Sequence, residues 1–219
     1  MADSIRWDWI SRHRGDIGEA TLTHLELVAT SVAIAVAVAL PIAVAVRRRR
    51  ASFGAVTALF GVAYTIPSLA LFAFLVPIIG IGATPVVIAL VVYSMLILLR
   101  NTVVGLQSVA PSVLETARGM GLTRWQTLAR VELPLAVPSI VSGIRIATVS
   151  AVGIATIGVL VDGGGLGTLI YNDGINRDLF LTPILVGTVC STLLAISLDL
   201  GLRGVEHLMT PWARRRATR

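Results

Sequence analysis

Five long stretches of this chain carry almost no charge, which restricts the possible folds more than any motif does. They run from about Leu25 to Val46, Phe53 to Ile79, Pro85 to Leu106, Leu135 to Leu160 and Leu181 to Leu202. Each has the ~20 residues a helix needs to cross the hydrocarbon core of a bilayer. Backbone groups in lipid find no water to bond, so helices are expected rather than an open sheet. Composition agrees: 55% of the 219 residues are hydrophobic and 14% charged, with charge missing from whole stretches rather than thinned evenly. The expected fold class is all-α, a polytopic membrane protein with about five transmembrane helices.

The placement of charge sets the expected orientation. Net charge is +6, and every basic residue is arginine. Arg47, Arg48, Arg49 and Arg50 follow the first span. Arg118, Arg124 and Arg130 lie between the third and fourth, and Arg214, Arg215, Arg216 and Arg219 follow the fifth. Five crossings bring these sets to one side, which the positive-inside rule makes cytoplasmic. On the other side, Arg6, Arg12, Arg14 and Arg177 are diluted by Asp3, Asp8, Asp16, Glu19, Asp162, Asp173 and Asp178. The chain is therefore read as a multi-pass protein of the cell (inner) membrane, N-terminus outside and C-terminus cytoplasmic. Arginines at span ends serve orientation, so no nucleic-acid partner is expected.

This topology divides the chain into an extracytoplasmic segment 1–24, a transmembrane domain 25–206 and a basic tail 207–219. The N-terminus lacks a basic n-region, so the first apolar run is read as a retained span and not a signal peptide. Trp7 and Trp9 place the N-terminal segment either along the outer interface, where tryptophan concentrates, or in a solvent-exposed tail.

Polar residues inside the spans are few. Pro67 and Pro77 interrupt the second span, with Thr65 and Ser68 beside the first. A mid-helix proline removes a backbone hydrogen bond and kinks the helix, and nearby hydroxyls can satisfy the freed groups. The kink serves packing, or it bends the helix around a central pathway. Tyr64, Thr65, Pro67, Ser68, Tyr93, Ser94 and Asn101 are the candidate pathway residues. Each is also a candidate for interhelical hydrogen bonding alone. Arg145 lies ~10 Å into the fourth span at 1.5 Å per residue. It either snorkels to the interface or pairs within the bundle. Asp199 and Arg203 are four apart and are expected to pair on one helix face. The histidines are read as exposed or interfacial, and Cys190 has no ligand partner at metal spacing. No catalytic or metal-binding constellation is found, and no enzyme activity is expected.

The stretch between the third and fourth spans, 108–134, is the most informative. Ser112 and Glu115 have capping-box spacing, which predicts a helix starting at Val113. Gly119 and Gly121 are expected to end it. Thr123 and Gln126 repeat the spacing and start a second short helix, with Pro134 stopping that helix or opening the next span. Val113, Leu114, Ala117 and Met120, then Leu122, Trp125 and Leu128, recur at helical spacing. This apolar face needs cover from the membrane surface or from a protein partner.

These residues resemble the EAA loop of ABC importer permeases. That pattern is Glu-Ala-Ala, three residues, Gly, nine residues, Ile-x-Leu-Pro. Here Glu115-Thr116-Ala117 is followed at the same spacing by Gly121 and by Val131-Glu132-Leu133-Pro134. Thr116 and Val131 are the two departures. The resemblance implies a type I ABC importer permease core whose loop is a coupling helix docked on a cytoplasmic ATPase subunit. Glu115, Thr116, Ala117, Arg118, Gly119, Gly121, Leu133 and Pro134 are the implied coupling residues. A bulky residue at Gly121 is expected to crowd the elbow or the docking groove and uncouple transport. The chain itself is expected to bind no cofactor, with ATP and Mg on the ATPase. Gly163-Gly164-Gly165-Leu166-Gly167 lacks the Lys-Ser/Thr of a P-loop. It is read as a tight outer turn or re-entrant loop.

A finer resemblance covers about Leu25 to Leu202. Thr65-Ile-Pro-Ser-Leu-Ala-Leu71, Pro77 to Gly82, Tyr93, Arg100-Asn101-Thr102, the Glu115–Gly121 run and Gly164-Gly-Leu-Gly167 look like permeases of osmoprotectant importers. This implies glycine betaine, choline, carnitine or proline betaine as substrate. It also implies an extracytoplasmic substrate-binding protein and a second permease, identical or paralogous. The alternatives are an amino-acid or methionine ABC permease and an ATP-independent channel or carrier.

Overall fold

The computed structural model describes residues 5–210, so the Arg214–Arg219 tail lies outside the described residues. Within them the chain is helical, with no strand. The elements are α1 (Trp7–Arg12), α2 (Arg14–Val46), α3 (Arg50–Thr65), α4 (Ser68–Ile79), α5 (Ala83–Gln107), α6 (Pro111–Gly119), α7 (Arg124–Thr127), α8 (Leu133–Ala155), α9 (Gly167–Ile170) and α10 (Leu181–Met209). A π-turn, Leu128–Glu132, joins α7 to α8, and a second, Tyr171–Ile175, follows α9.

Four helical segments are each long and apolar enough to cross a bilayer: Arg14–Val46, Ala83–Gln107, Arg124–Val161 and Leu181–Met209. Counting the bent pair α3 and α4, which meet at 94°, as one span makes five. Pro67 therefore breaks the second span outright rather than kinking it. Proline removes one hydrogen bond and biases Ile66 to extended backbone, and Ile66 sits at φ −66°, ψ 126°. The helix of the first span, α2, starts at Arg14, eleven residues before the expected Leu25, and with α1 before it most of segment 1–24 is helical.

The core is a three-helix seam of α2, α5 and α8. Leu27, Val28, Val32, Phe72, Val86, Leu90 and Val152 fill one end, and Ala35, Ala39, Ala43, Leu98, Leu99 and Val103 the other. Alanine on α2 brings its backbone close to α5, as small residues do in lipid, where apolar burial between helices gives no driving force. The antiparallel α5–α8 crossing uses the same device twice. A Cβ on Gly143 would lie 2.6 Å from Asn101 Cβ, and one on Gly105 would lie 2.7 Å from Ser139 Cβ. Ser139 Oγ also donates to the Asn101 carbonyl at 2.7 Å.

His24 corrects an expectation. It is fully buried, not exposed or interfacial. The Leu166 N–H donates to its Nδ1 at 3.2 Å, and its Nε2 lies 3.1 Å from the Val152 carbonyl. A carbonyl only accepts, so Nε2 carries the proton and the ring is neutral. This histidine ties α2, α8 and the glycine-rich turn together. The turn lies against α2, because a Cβ on Gly165 would come within 2.9 Å of His24 Nδ1. Trp9 is likewise buried, edge-on to Phe180 with centroids 5.9 Å apart, so α1 is packed on the bundle and is not a solvent tail.

The charges in the spans also pair differently from expectation. Arg145 makes a bidentate pair with Asp199, Nε–Oδ1 2.9 Å and Nη2–Oδ2 3.0 Å, and reaches Glu206 at 3.4 Å. Asp199 therefore takes its ion pair from α8 rather than from Arg203 on its own helix. Both candidates carry the same guanidinium, and it is the approach from α8 that sets two N–H groups on both carboxylate oxygens.

Candidate functional site

The helices alternate in direction, and this gathers the arginine-rich connections at one end. There, α2 ends at Arg47, α5 ends beside it with Gln107 Nε2 donating to the Arg47 carbonyl at 2.8 Å, and α8 begins. Segment 108–134 sits on this end as an elbow.

α6 begins at Pro111, with Ala110 as its N-cap and no side-chain cap. This overturns the expected Ser112–Glu115 box. Proline suits the first helical position, where its missing N–H has no partner to lose. Thr116 Oγ1 donates to the Ser112 carbonyl at 2.9 Å. The other end of α6 follows the sequence. The Gly121 N–H bonds the Arg118 carbonyl at 2.9 Å and the Leu122 N–H bonds the Ala117 carbonyl at 3.1 Å. This is a Schellman cap, with Gly121 at φ +81° as its left-handed residue. Among the described residues, none beyond its chain neighbours comes within 4 Å of a Cβ built there. A larger residue would thus not crowd the elbow within this chain. Its cost is the left-handed backbone, ~1–2 kcal/mol for an L-residue.

The second capping box is present. Gln126 N–H donates to Thr123 Oγ1 at 3.3 Å, and Thr123 N–H to Gln126 Oε1 at 2.9 Å. The helix it starts does not stop at Pro134. It passes through the π-turn, where the Leu133 N–H bonds back to the Leu128 carbonyl, and continues as α8. The extra residue of the π-turn lets proline enter the first turn of α8 without breaking it.

Of α6, only Ala117 is buried. Glu115, Thr116, Arg118, Gly119 and Gly121 are exposed on the projecting elbow, while Leu133 and Pro134 are half-buried where it joins the bundle. Met120 and Trp125 are 67% and 75% exposed, so much of the predicted apolar face is uncovered.

Glu132 was not singled out from the sequence. It is buried in the π-turn, and its two oxygens accept from Arg47 Nε at 2.8 Å and Arg48 Nη2 at 2.9 Å. A charged residue opening an apolar span, beside a four-arginine run with no acid of its own, was the available signal. Removing one partner of such a buried pair costs about 3–5 kcal/mol.

The candidate pathway residues divide. Tyr64, Thr65, Pro67 and Ser68 lie at the α3–α4 break, and all but Ser68 are exposed. Tyr93 on α5 joins them. Its hydroxyl donates to the Ile66 carbonyl at 2.6 Å, and its ring meets Tyr64 edge-on, centroids 5.8 Å apart. The Ile66 carbonyl at the break is thus bonded from α5, the Ala63 carbonyl that loses the Pro67 N–H accepts from the Ile66 N–H at 3.3 Å, and Thr65 Oγ1 donates to the Val62 carbonyl within its own helix. Ser94 is buried, and Asn101 packs on Gly143 with its Nδ2 donating to the Ile97 carbonyl at 2.9 Å. Asn101 holds the α5–α8 crossing.

Apolar spans, a broken helix with a polar joint and a projecting elbow at the arginine-rich end together define a membrane-embedded transport subunit. The chain belongs to the family described as binding-protein-dependent transport system inner membrane component, which matches residues 32–210. It is similar to the glycine betaine/carnitine/choline transport system permease protein OpuCB of Bacillus subtilis (strain 168), 37% identical over 93% of each chain. It is also similar to that organism's choline transport system permease protein OpuBB, 35% identical over 93% of each chain. A third relative is the osmoprotectant import permease protein OsmW of Salmonella typhimurium, 37% identical over 90% of this chain and 93% of that one. Among solved structures, a chain of the MetNI methionine ABC transporter, in inward facing conformations, shares the fold. Its TM-score is 0.77 at 23% identity, covering 86% of this chain and 94% of that one. The protein is therefore an inner membrane permease component of an ABC importer, with four apolar spans, or five when the bent α3–α4 pair is counted as one.

Proposed function

We propose that this chain forms the translocation pathway for a compatible solute of the quaternary ammonium class, such as glycine betaine, choline, carnitine or proline betaine. The observation that carries the reading is the similarity to osmoprotectant permeases over 93% of the chain. A cytoplasmic ATPase holding ATP and Mg, a second permease and an extracytoplasmic binding protein complete the complex. The arginine-rich end faces the cytoplasm, and the N-terminus is outside.

The elbow is the coupling element. Its uncovered α6 docks in the ATPase, with Glu115, Thr116, Arg118, Gly119 and Gly121 at the contact and Leu133–Pro134 passing motion into α8. The solute moves past the α3–α4 joint at Tyr64, Thr65, Pro67, Ser68 and Tyr93. The exposed Tyr64 ring suits a cationic solute, because aromatic rings attract quaternary ammonium.

The test is uptake by the complex reconstituted in proteoliposomes with its ATPase and binding protein. ATP-dependent accumulation of labelled glycine betaine or choline, and none of methionine, is expected; methionine uptake alone overturns the substrate reading. In the same system Gly121→Val should lose binding-protein-stimulated ATPase activity while Gly121→Asn retains most of it, because Asn tolerates the left-handed region. Equal activities would remove the coupling role. Orientation is read by labelling Asn172→Cys in a Cys190→Ser background, which should react from outside only.

A further inference from the structure

The arginine-rich end holds a cleft of whose arginines only Arg118 belongs to the ATPase contact. Two adjoining cavities, of about 490 and 270 Å³, share Arg48 and Arg124 as a common wall. Arg118 lines the larger cavity, Arg47 and Trp125 the smaller. Among the described residues, Glu132 is the only carboxylate lining either cavity, and Arg47 and Arg48 already take both of its oxygens. Among the described residues, neither Arg118 nor Arg124 has a carboxylate within ion-pair distance. Four guanidinium groups thus face one carboxylate across a partly enclosed space. Like charges gathered this way repel, and an anion between them removes the repulsion. Guanidinium forks match phosphate oxygens in bidentate geometry.

The position of the cleft selects the source of the phosphate. Arg47 and Arg48 directly follow the apolar α2, and Glu132 directly precedes α8, so the cleft lies where the hydrocarbon ends. Trp125, beside it, is largely exposed, and tryptophan favours headgroup depth. Leu114 and Leu122 give the larger cavity an apolar wall, which a soluble ion does not use. Juxtamembrane arginine clusters attract acidic lipid.

We propose that this cleft binds the phosphate of an anionic phospholipid headgroup, held by Arg48 and Arg124, the two arginines common to both cavities. Bound there, the lipid links the end of α2 to the second arm of the elbow through Arg124 on α7. The position of the coupling element then depends on the charge of the surrounding lipid. The inference is independent of the transported solute.

The test uses the full chain purified in detergent with its ATPase, delipidated, then titrated with phosphatidylglycerol, phosphatidylcholine or inorganic phosphate and read by native mass spectrometry. One phosphatidylglycerol per permease, bound at least about tenfold more tightly than phosphatidylcholine, is expected. Arg124→Gln leaves the Glu132 pairs intact and should lose that preference. Arg50→Gln, an exposed arginine outside the cleft, should keep it. Equal binding of the two lipids, or equal loss in both variants, overturns the proposal. Inorganic phosphate competing as strongly as the lipid makes it a soluble-anion site. Arg124→Gln releasing the ATPase without altering lipid binding makes the cleft a protein-docking surface.

Discussion

Along the α5–α8 seam, glycine lets two helices touch; along the α3–α4 arm, glycine faces open space. A Cβ on Gly143 or Gly105 would lie within 2.7 Å of a neighbouring side chain, whereas Gly54 and Gly61 have nothing within 4 Å. Polar residues divide the same way. Asn101 and Ser139 bond inside the seam, and Tyr64 and Thr65 stand at the surface of the arm. α3 buries no residue, and Leu59 and Val62 on it are 67% and 68% exposed. The seam is thus closed within one chain. The arm presents a face that lipid or a second permease must cover. Residue type alone does not say which role a glycine or a hydroxyl plays; the facing helix does.

The largest effect is expected at the seam. Gly143→Leu forces α5 and α8 apart at the Asn101 contact. Overpacking of this kind costs about 1–3 kcal/mol or more, and here the obstacle is at Cβ, where no rotamer can avoid it. The variant should fail to give a monodisperse peak in detergent size-exclusion chromatography. Gly61→Leu on the arm should give a folded chain. If it is folded but no longer assembles with the second permease, the arm is the covered face; if both variants behave alike, the division between seam and arm is wrong.

Asn101→Ala should have a smaller effect. It removes one hydrogen bond and loosens the fit on Gly143, at about 1 kcal/mol for the bond. The melting temperature in detergent should fall while the ranking of transported solutes stays the same. A changed ranking would return Asn101 to the pathway.

Much of this division was out of reach of the sequence, for reasons the residues make plain. Hydropathy located the spans because the bilayer acts on each segment separately, and the Thr123–Gln126 box and the Gly121 cap were readable because their bonds close within five residues. The 94° break was not. Proline reports a missing bond and not an angle, and the partner that holds the Ile66 carbonyl at the break, Tyr93, is twenty-seven residues away. The same holds for His24 between Leu166 and Val152, and for Glu132 between Arg47 and Arg48: each contact spans more than eighty residues. A polar residue in an apolar helix announces that it needs a partner and is silent about where the partner is.

The smallest structural effects are expected at the joint, and there transport and stability should separate. Tyr93→Phe removes the bond to the Ile66 carbonyl, at about 1 kcal/mol, and leaves the ring contact with Tyr64 in place. It should lower the melting temperature slightly and slow uptake, because the joint between α3 and α4 is then free to shift. Tyr64→Ala removes an exposed ring that contributes little to the fold, so the melting temperature should stay within about 2 °C. Its effect should fall on the solute, as a several-fold loss of glycine betaine uptake with ATPase activity retained. The contrast with Asn101→Ala is the sharpest form of the comparison: one substitution changes stability and spares transport, the other does the reverse. If Tyr64→Ala transports normally, the joint faces lipid, and the pathway has to be sought on the exposed face of α8, where Ser142, Ile146 and Val149 lie next to the Arg145–Asp199 pair.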